Sequence, residues 1–173
     1  MTKWIVDPSH SEVQFKVRHM MVSNVTGHFN EFQSSIETSS EGFEDGNFQF
    51  SAEIASIDTR NADRDNHLKS ADFFDAAQFP QLLFSSNEFK LDGGNAILKG
   101  EISIRGTRLP IELHGEYNGQ AVDPYGQTKA GFEFVGKISR KEFGLHWNAI
   151  TEAGSIVVSD EVILQINVQY IKQ

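Results

Sequence analysis

Val162–Tyr170 reads VILQINVQY, and this stretch decides the fold. Val162, Leu164, Ile166, Val168 and Tyr170 share one phase, and Ile163, Gln165, Asn167 and Gln169 share the other. Successive side chains of a strand point to opposite faces, so a period of two marks a strand with one buried and one wetted face. The pattern recurs throughout the chain. Val13, Phe15 and Val17 stand against Gln14, Lys16 and Arg18, and Phe48, Phe50, Ala52 and Ile54 against Gln49, Ser51 and Glu53. Leu98, Ile102 and Ile104 share a phase, as do Leu109, Ile111 and Leu113, and Phe132, Phe134 and Ile138. In Val25–Ile36 the phase slips between Phe29 and Phe32, which predicts a bulge near Asn30–Glu31. Leu82–Leu91 begins apolar on both faces, as expected of a strand covered on its outer side. Turn signals at Glu41–Gly46, Asp92–Asn95, Asn118–Gly126 and Ala153–Ser155 separate the strands. The count comes to about eight antiparallel strands, few enough to close on themselves. The fold class is all-β: a single antiparallel eight-stranded barrel occupying residues 1–173 as one domain, with no repeat, linker or low-complexity tract.

Arg64–Phe84, RDNHLKSADFFDAAQFPQLLF, breaks the alternation. Asn61, Asp63 or Asp65 can cap a short helix, because a side-chain oxygen satisfies amides left unpaired in its first turn. Leu68, Ala71 and Phe74 then fall on one face, and Pro80 returns the chain to an extended form. A helical insert in a barrel is expected to cover an end or a flank. Here the flank of the strand that follows is the natural choice.

The formal charge of −9 argues against nucleic acid or an anionic membrane surface as a partner, since both require a basic face. Without cysteine there is neither a disulfide framework nor thiolate chemistry. The start, MTKWIVDPSHS, has no apolar run of signal-peptide length, and no segment approaches the roughly 18 apolar residues of a membrane helix. A cytoplasmic protein with no integral membrane segment is the expectation.

The six histidines show no HxH or HExxH spacing, so no metal is expected. His10 should bond a backbone group near a turn, His19 should stand at the barrel rim, and His28 should face solvent. His67 lies between Asp65 and Ser70, with Arg64 and Asp58 near in sequence. A hydrolase would use Ser70 as nucleophile, His67 as base and Asp58 or Asp65 as its orienter. No GxSxG elbow precedes the serine, and a three-residue spacing does not by itself align these groups. The alternatives are that Arg64, Asp65 and His67 bond the insert to neighbouring strand ends, or that they meet a polar ligand head at the barrel mouth. Arg140 is expected to pair with Asp58 or Asp72, and Gly144 to permit a tight turn.

Closing the sheet turns one face of every strand inward. The inward candidates are Phe15, Val17, Phe48, Phe50, Ala52, Ile54, Leu82, Phe84, Ile102, Ile104, Phe132, Phe134, Leu164 and Ile166. An eight-stranded barrel either fills its interior with its own side chains or leaves room for one ligand. Alternation alone slightly favours the filled core. Ala52, Gly100, Ala130 and Gly136 interrupt the large residues and leave space, which favours a lumen.

Several motifs resemble the YceI-like family of lipocalin-like proteins. They are WxVDPSHS at Trp4–Ser11, FxVRH at Phe15–His19, VTGxF at Val25–Phe29 and SIDT at Ser56–Thr59. RDxHLxSxDFFD at Arg64–Asp75, FPxLxF at Phe79–Phe84 and RKEFGL at Arg140–Leu145 complete the set. At Gly106–Pro110 this chain has GTRLP where the family carries a GVTKP-like turn. The resemblance implies a lipocalin-like barrel whose apolar channel holds a long isoprenoid, such as a polyprenyl chain or an isoprenoid quinone, or another lipid. It implies binding rather than catalysis and no cofactor beyond such a ligand. It leaves a homodimer open. A rival reading is an enzyme at the barrel mouth with His67 as base. Another is a filled barrel that binds a protein on its outer surface.

Overall fold

The computed structural model describes residues 1–148 and 158–173, so the turn expected at Ala153–Ser155 lies outside the described residues. The strands are β1 (Thr2–Val6), β2 (Glu12–His19), β3 (Ser23–Phe29), β4 (Phe32–Thr38), β5 (Asn47–Glu53) and β6 (Ile57–Asp58). They continue as β7 (Gln81–Asp92), β8 (Asn95–Ile104), β9 (Thr107–Val122), β10 (Thr128–Ser139) and β11 (Val158–Lys172), and the helix α1 spans Ala62–Lys69. Three pairs, β1/β2, β3/β4 and β5/β6, are each one long strand interrupted once. Counted that way, eight antiparallel staves follow one another in chain order, and β11 pairs with both β1 and β2 to close the ring. This is the eight-stranded barrel with a short helical insert that the alternation predicts.

The interruptions have local causes. Between β1 and β2 the Asp7 carboxylate accepts hydrogen bonds from the backbone N–H and hydroxyl of Ser9 and bonds His10 Nδ1 at 2.8 Å. Pro8 stands at the first position of the resulting 3-10 turn, where a missing N–H costs nothing. His10 thus bonds a side chain rather than the backbone group expected. Between β3 and β4 the break falls at Asn30–Glu31, where the slip in phase placed it.

Two turns differ from expectation. β9 runs through Asn118 to Val122, with Asn118 and Gly119 opposing Gly131 as a bulge. Gly119 has φ 89°, a conformation that favours glycine. The reversal comes at Asp123, whose carboxylate accepts from the N–H groups of Tyr125 and Gln127. Earlier, the chain reverses at Arg105–Gly106, and Pro110 lies inside β9 opposite Glu101. The ladder to β10 ends at His114, so Pro110 has no partner on that side to deprive of a bond.

Asn61 caps α1 by accepting from the Arg64 N–H at 3.0 Å. The helix stops at Lys69, where the Ser70 hydroxyl donates to the His67 carbonyl. Ala71 therefore lies past the helix and is exposed, and the apolar contact comes from Leu68, Phe73 and Phe74. The insert covers the end of the barrel rather than the outer face of β7. Leu83, on that outer face, is 46% exposed, which corrects the expectation of a covered flank.

Candidate functional site

The strand directions give the barrel two ends. The β2–β3 and β8–β9 turns, the insert and the start of the β10–β11 connection lie at one end, called the mouth. The β4–β5, β7–β8 and β9–β10 turns lie at the far end. An aromatic plug shuts the far end. Phe43, from the β4–β5 loop, is fully buried with its ring 5.2 Å from Trp4, 5.6 Å from Tyr117 and 5.3 Å from Phe132. Phe132 also meets Phe48, Phe89 and Tyr170. The Phe43 backbone has φ 65°, unfavourable for a side chain of this size. The loop is held by Asp45, which accepts from the hydroxyls of Thr38 and Ser39 and the N–H groups of Ser39 and Ser40.

Two cavities lie between plug and mouth. The inner one holds about 760 Å³ of empty space, counting the part open to solvent. The outer one, beneath the insert, holds about 610 Å³ on the same basis. They share Phe15, Phe29, Leu82 and Leu164, so the two cavities meet at a waist formed by these four side chains. The lumen is narrow: only about 80 Å³ of each part is wide enough to admit water.

Of the residues expected to face inward, Phe48, Phe50, Phe84, Ile102, Phe134 and Ile166 line the inner cavity, Val17 and Ile104 the outer one, and Phe15, Leu82 and Leu164 both. Ala52, Ile54 and Phe132 are buried but line neither. Phe132 belongs to the plug, so its phase was read correctly and its height along the barrel was not. The wall also includes Val13, Leu98, Ile111, Leu113, Val168 and Tyr170, all legible from the same alternation, and Phe29, which stands at the slip in phase. Leu68 comes from the helix face expected in the sequence, while Phe73 and Leu145 come from connections, where no period announces them. Ser34, from the polar run Gln33–Ser35, also lines the lumen and carries no sequence signal.

The polar residues singled out in the sequence gather at the mouth. Arg64 donates from Nε to the Thr59 hydroxyl and from Nη2 to the Thr59 carbonyl, while the Asp65 carboxylate accepts from the Thr59 N–H and hydroxyl. Thr59 is buried, and these bonds lock the start of the insert to β6. Asp58 accepts from the Arg60 N–H at 2.9 Å, and that bond holds its carboxyl below the usual range. His19 ends β2 at the rim, as expected, and His28 is half-buried rather than facing solvent outright. Arg140 is 3% exposed and lines the outer cavity. It does not pair with Asp58 or Asp72 as expected. It donates instead to the carbonyls of Ser159, Leu145, Trp147 and Val158, tying the β10–β11 connection across the barrel end. Burial draws its pKa down, and the nearby Asp160 opposes that.

His67 bonds Asp72 through Nε2 at 2.9 Å, and its ring packs edge-on against Phe73 and Trp147. The Ser70 hydroxyl is spent on the His67 carbonyl, and Asp65 is spent on Thr59. These contacts leave the proposed nucleophile, base and orienter each bonded elsewhere. Among the described residues no cluster of three or more His, Asp or Glu is arranged to hold a metal, and no helix is long and apolar enough to cross a membrane.

Comparison with known proteins bears on this geometry. The family model described as a YceI-like domain matches residues 4–170. A UPF0312 protein of Enterobacter sp. strain 638 is 35% identical over 164 residues, which cover 95% of this chain and 82% of the relative. Among solved structures, a Campylobacter jejuni YCEI protein matches with TM-score 0.77 and 31% identity over 90% of each chain. A polyisoprenoid binding domain from Saccharophagus degradans, implicated in plant cell wall breakdown, matches with TM-score 0.71 over 98% of each chain at 14% identity, a likeness of fold.

Proposed function

The chain belongs to the YceI-like family, and on that premise we propose that it is a non-catalytic binding protein whose lumen takes one long apolar chain. The ligand class is an isoprenoid, either a polyprenyl chain or an isoprenoid quinone, or a similar long-chain amphiphile, held for transport, storage or sequestration. The observation that carries this reading is the pair of apolar cavities that meet at the waist between the far plug and the insert. The polyisoprenoid binding by the fold neighbour from Saccharophagus degradans is consistent with it.

The energetics suit a chain. Burying one CH₂ contributes about 0.8 kcal/mol, so a five-carbon prenyl unit contributes roughly 3–4 kcal/mol before costs. Immobilisation costs at least about 4 kcal/mol, and the flexible tail loses further entropy. Four buried units leave up to about 8–12 kcal/mol after that minimum cost, which corresponds to micromolar or tighter binding without any polar contact. The test is native mass spectrometry of freshly purified protein followed by organic extraction. A co-purifying prenyl or long-chain lipid is the expected result. An empty barrel that also fails to take up prenyl alcohols added in detergent would overturn the proposal.

A further inference from the structure

The barrel wall has a gap. β1 pairs with β4 as far as Ile5 opposite Ser35, and β2 pairs with β3 from Gln14 opposite His28. Between these points Val6–Val13 and Phe29–Ser34 have no ladder partners across from one another, because both staves are interrupted at the same height. An open groove on the outer surface runs over this gap and shares Ser34, Gln49 and Phe50 with the inner cavity. Lumen and surface thus approach each other at the side of the barrel as well as at the mouth.

A polar pair stands inside the gap. Ser34 Oγ lies 2.7 Å from Tyr170 Oη, and it donates to the Gln49 carbonyl at 2.7 Å. A serine has one proton to give, so with that proton on Gln49 the Tyr170 hydroxyl is the donor in the pair. The phenol oxygen keeps lone pairs, and Tyr170 is part of the lumen wall. Burial raises its pKa to about 12, so the group is neutral in any physiological setting. Most of the surrounding wall is hydrocarbon, which disfavours a charged ligand group there.

We propose that Tyr170 and Ser34 seat the polar end of the ligand at this side gap, and that the end they fit is a neutral hydroxyl. An alcohol donates its proton to the phenol oxygen without disturbing either existing bond, while its chain runs along the lumen through the waist towards the insert. This rests on the lumen-binding reading above and adds an orientation and a head-group class to it.

The test compares a prenyl alcohol with the hydrocarbon of equal length, titrated into the unmodified protein and into Tyr170→Phe. That substitution keeps the ring and removes the oxygen, and thermal melting checks that the barrel is intact. The alcohol is expected to bind the unmodified protein more tightly than the hydrocarbon, and to lose about tenfold in Tyr170→Phe, while the hydrocarbon is unchanged. Equal affinities in the unmodified protein, or an equal loss for both ligands, overturn the proposal and leave the lumen reading standing. Binding of neither ligand overturns both. A second measurement does not depend on the variant. A prenyl alcohol carrying a diazirine beside its hydroxyl should photolabel peptides containing Ser34, Gln49 or Tyr170. Labelling confined to the insert, Ala62–Asp75, places the head at the mouth and refutes the proposal.

Discussion

Gly27→Ala tests whether the two cavities act as one lumen. Gly27 in β3 lies opposite Phe15 in β2, and the Phe15 ring rests directly on the glycine backbone. A Cβ at this position would sit 2.1 Å from the ring's Cζ, against about 3.4 Å for ordinary contact. The ring edge must therefore retreat by about 1.3 Å. Phe15 lines both cavities, so the retreat carries it into the waist. Overpacking of this kind costs about 1–3 kcal/mol, partly offset by about 0.4–1 kcal/mol from a less flexible unfolded chain. The net loss of about 1–2 kcal/mol lowers Tm by roughly 2–8 °C for a chain of this size. The effect on binding should be larger than the effect on stability, because each five-carbon unit denied passage forfeits roughly 3–4 kcal/mol before entropy is counted. The assay is a titration of prenyl alcohols that lengthen by one unit at a time. With the unmodified protein, affinity rises with length until the lumen is full and then levels. With Gly27→Ala the levelling comes at least one unit sooner, and adding Phe15→Leu to relieve the contact restores it. A folded Gly27→Ala protein with an unchanged plateau would refute the claim that ligand passes the waist.

Phe134→Asp should abolish uptake, since it places an unpaired carboxylate in the inner cavity at a cost of several kcal/mol; circular dichroism must accompany the assay, and a folded variant that binds normally would put Phe134 outside the path. His67→Gln removes a partly exposed bond to Asp72 and two edge-on ring contacts, so melting should fall by no more than a few degrees, with binding of a prenyl hydrocarbon intact and no esterase activity in either protein. Esterase turnover by the unmodified protein that vanishes in folded His67→Gln would instead establish catalysis. Acid should destabilise the barrel at two known points. Hydrogen bonds from Ser9 first, and from His10, lower the Asp7 pKa to about 2, and the Ser39 and Thr38 hydroxyls hold Asp45 lower still. Both groups favour the folded state when ionised, so their contribution is complete above the ordinary carboxylate value near 3.8 and drains away as pH falls towards 2. Melting between pH 5 and pH 2 should show that decline, with a shallower slope in Asp45→Asn; an identical slope would remove Asp45 from the account.

Much of the barrel can be read from single strands. Alternation in Val162–Tyr170 and its counterparts assigns each side chain to a face, because pleating is a property of the local backbone. The break at Asn30–Glu31 and the Asn61 cap are equally local, set by residues within a few positions of one another. What lies inside at a given height is not local. Phe132 and Phe134 share a phase, yet one plugs the far end and the other lines the cavity, because the stagger between neighbouring strands sets height along the axis. Phe43 closes the barrel from a segment legible only as a turn, and its destination depends on Trp4, Tyr117 and Phe132 arriving from other strands. Arg140 shows the same limit: charge suggested a carboxylate partner, while folding presents it with four backbone carbonyls whose positions no side chain reveals. Ser34 and Tyr170 are 136 positions apart and meet only because β11 closes the ring beside β1, which carries β4 next to it. One-face burial follows from the order of residues along a strand; which side chains share a cavity, and where its wall opens, follows from closure of the sheet.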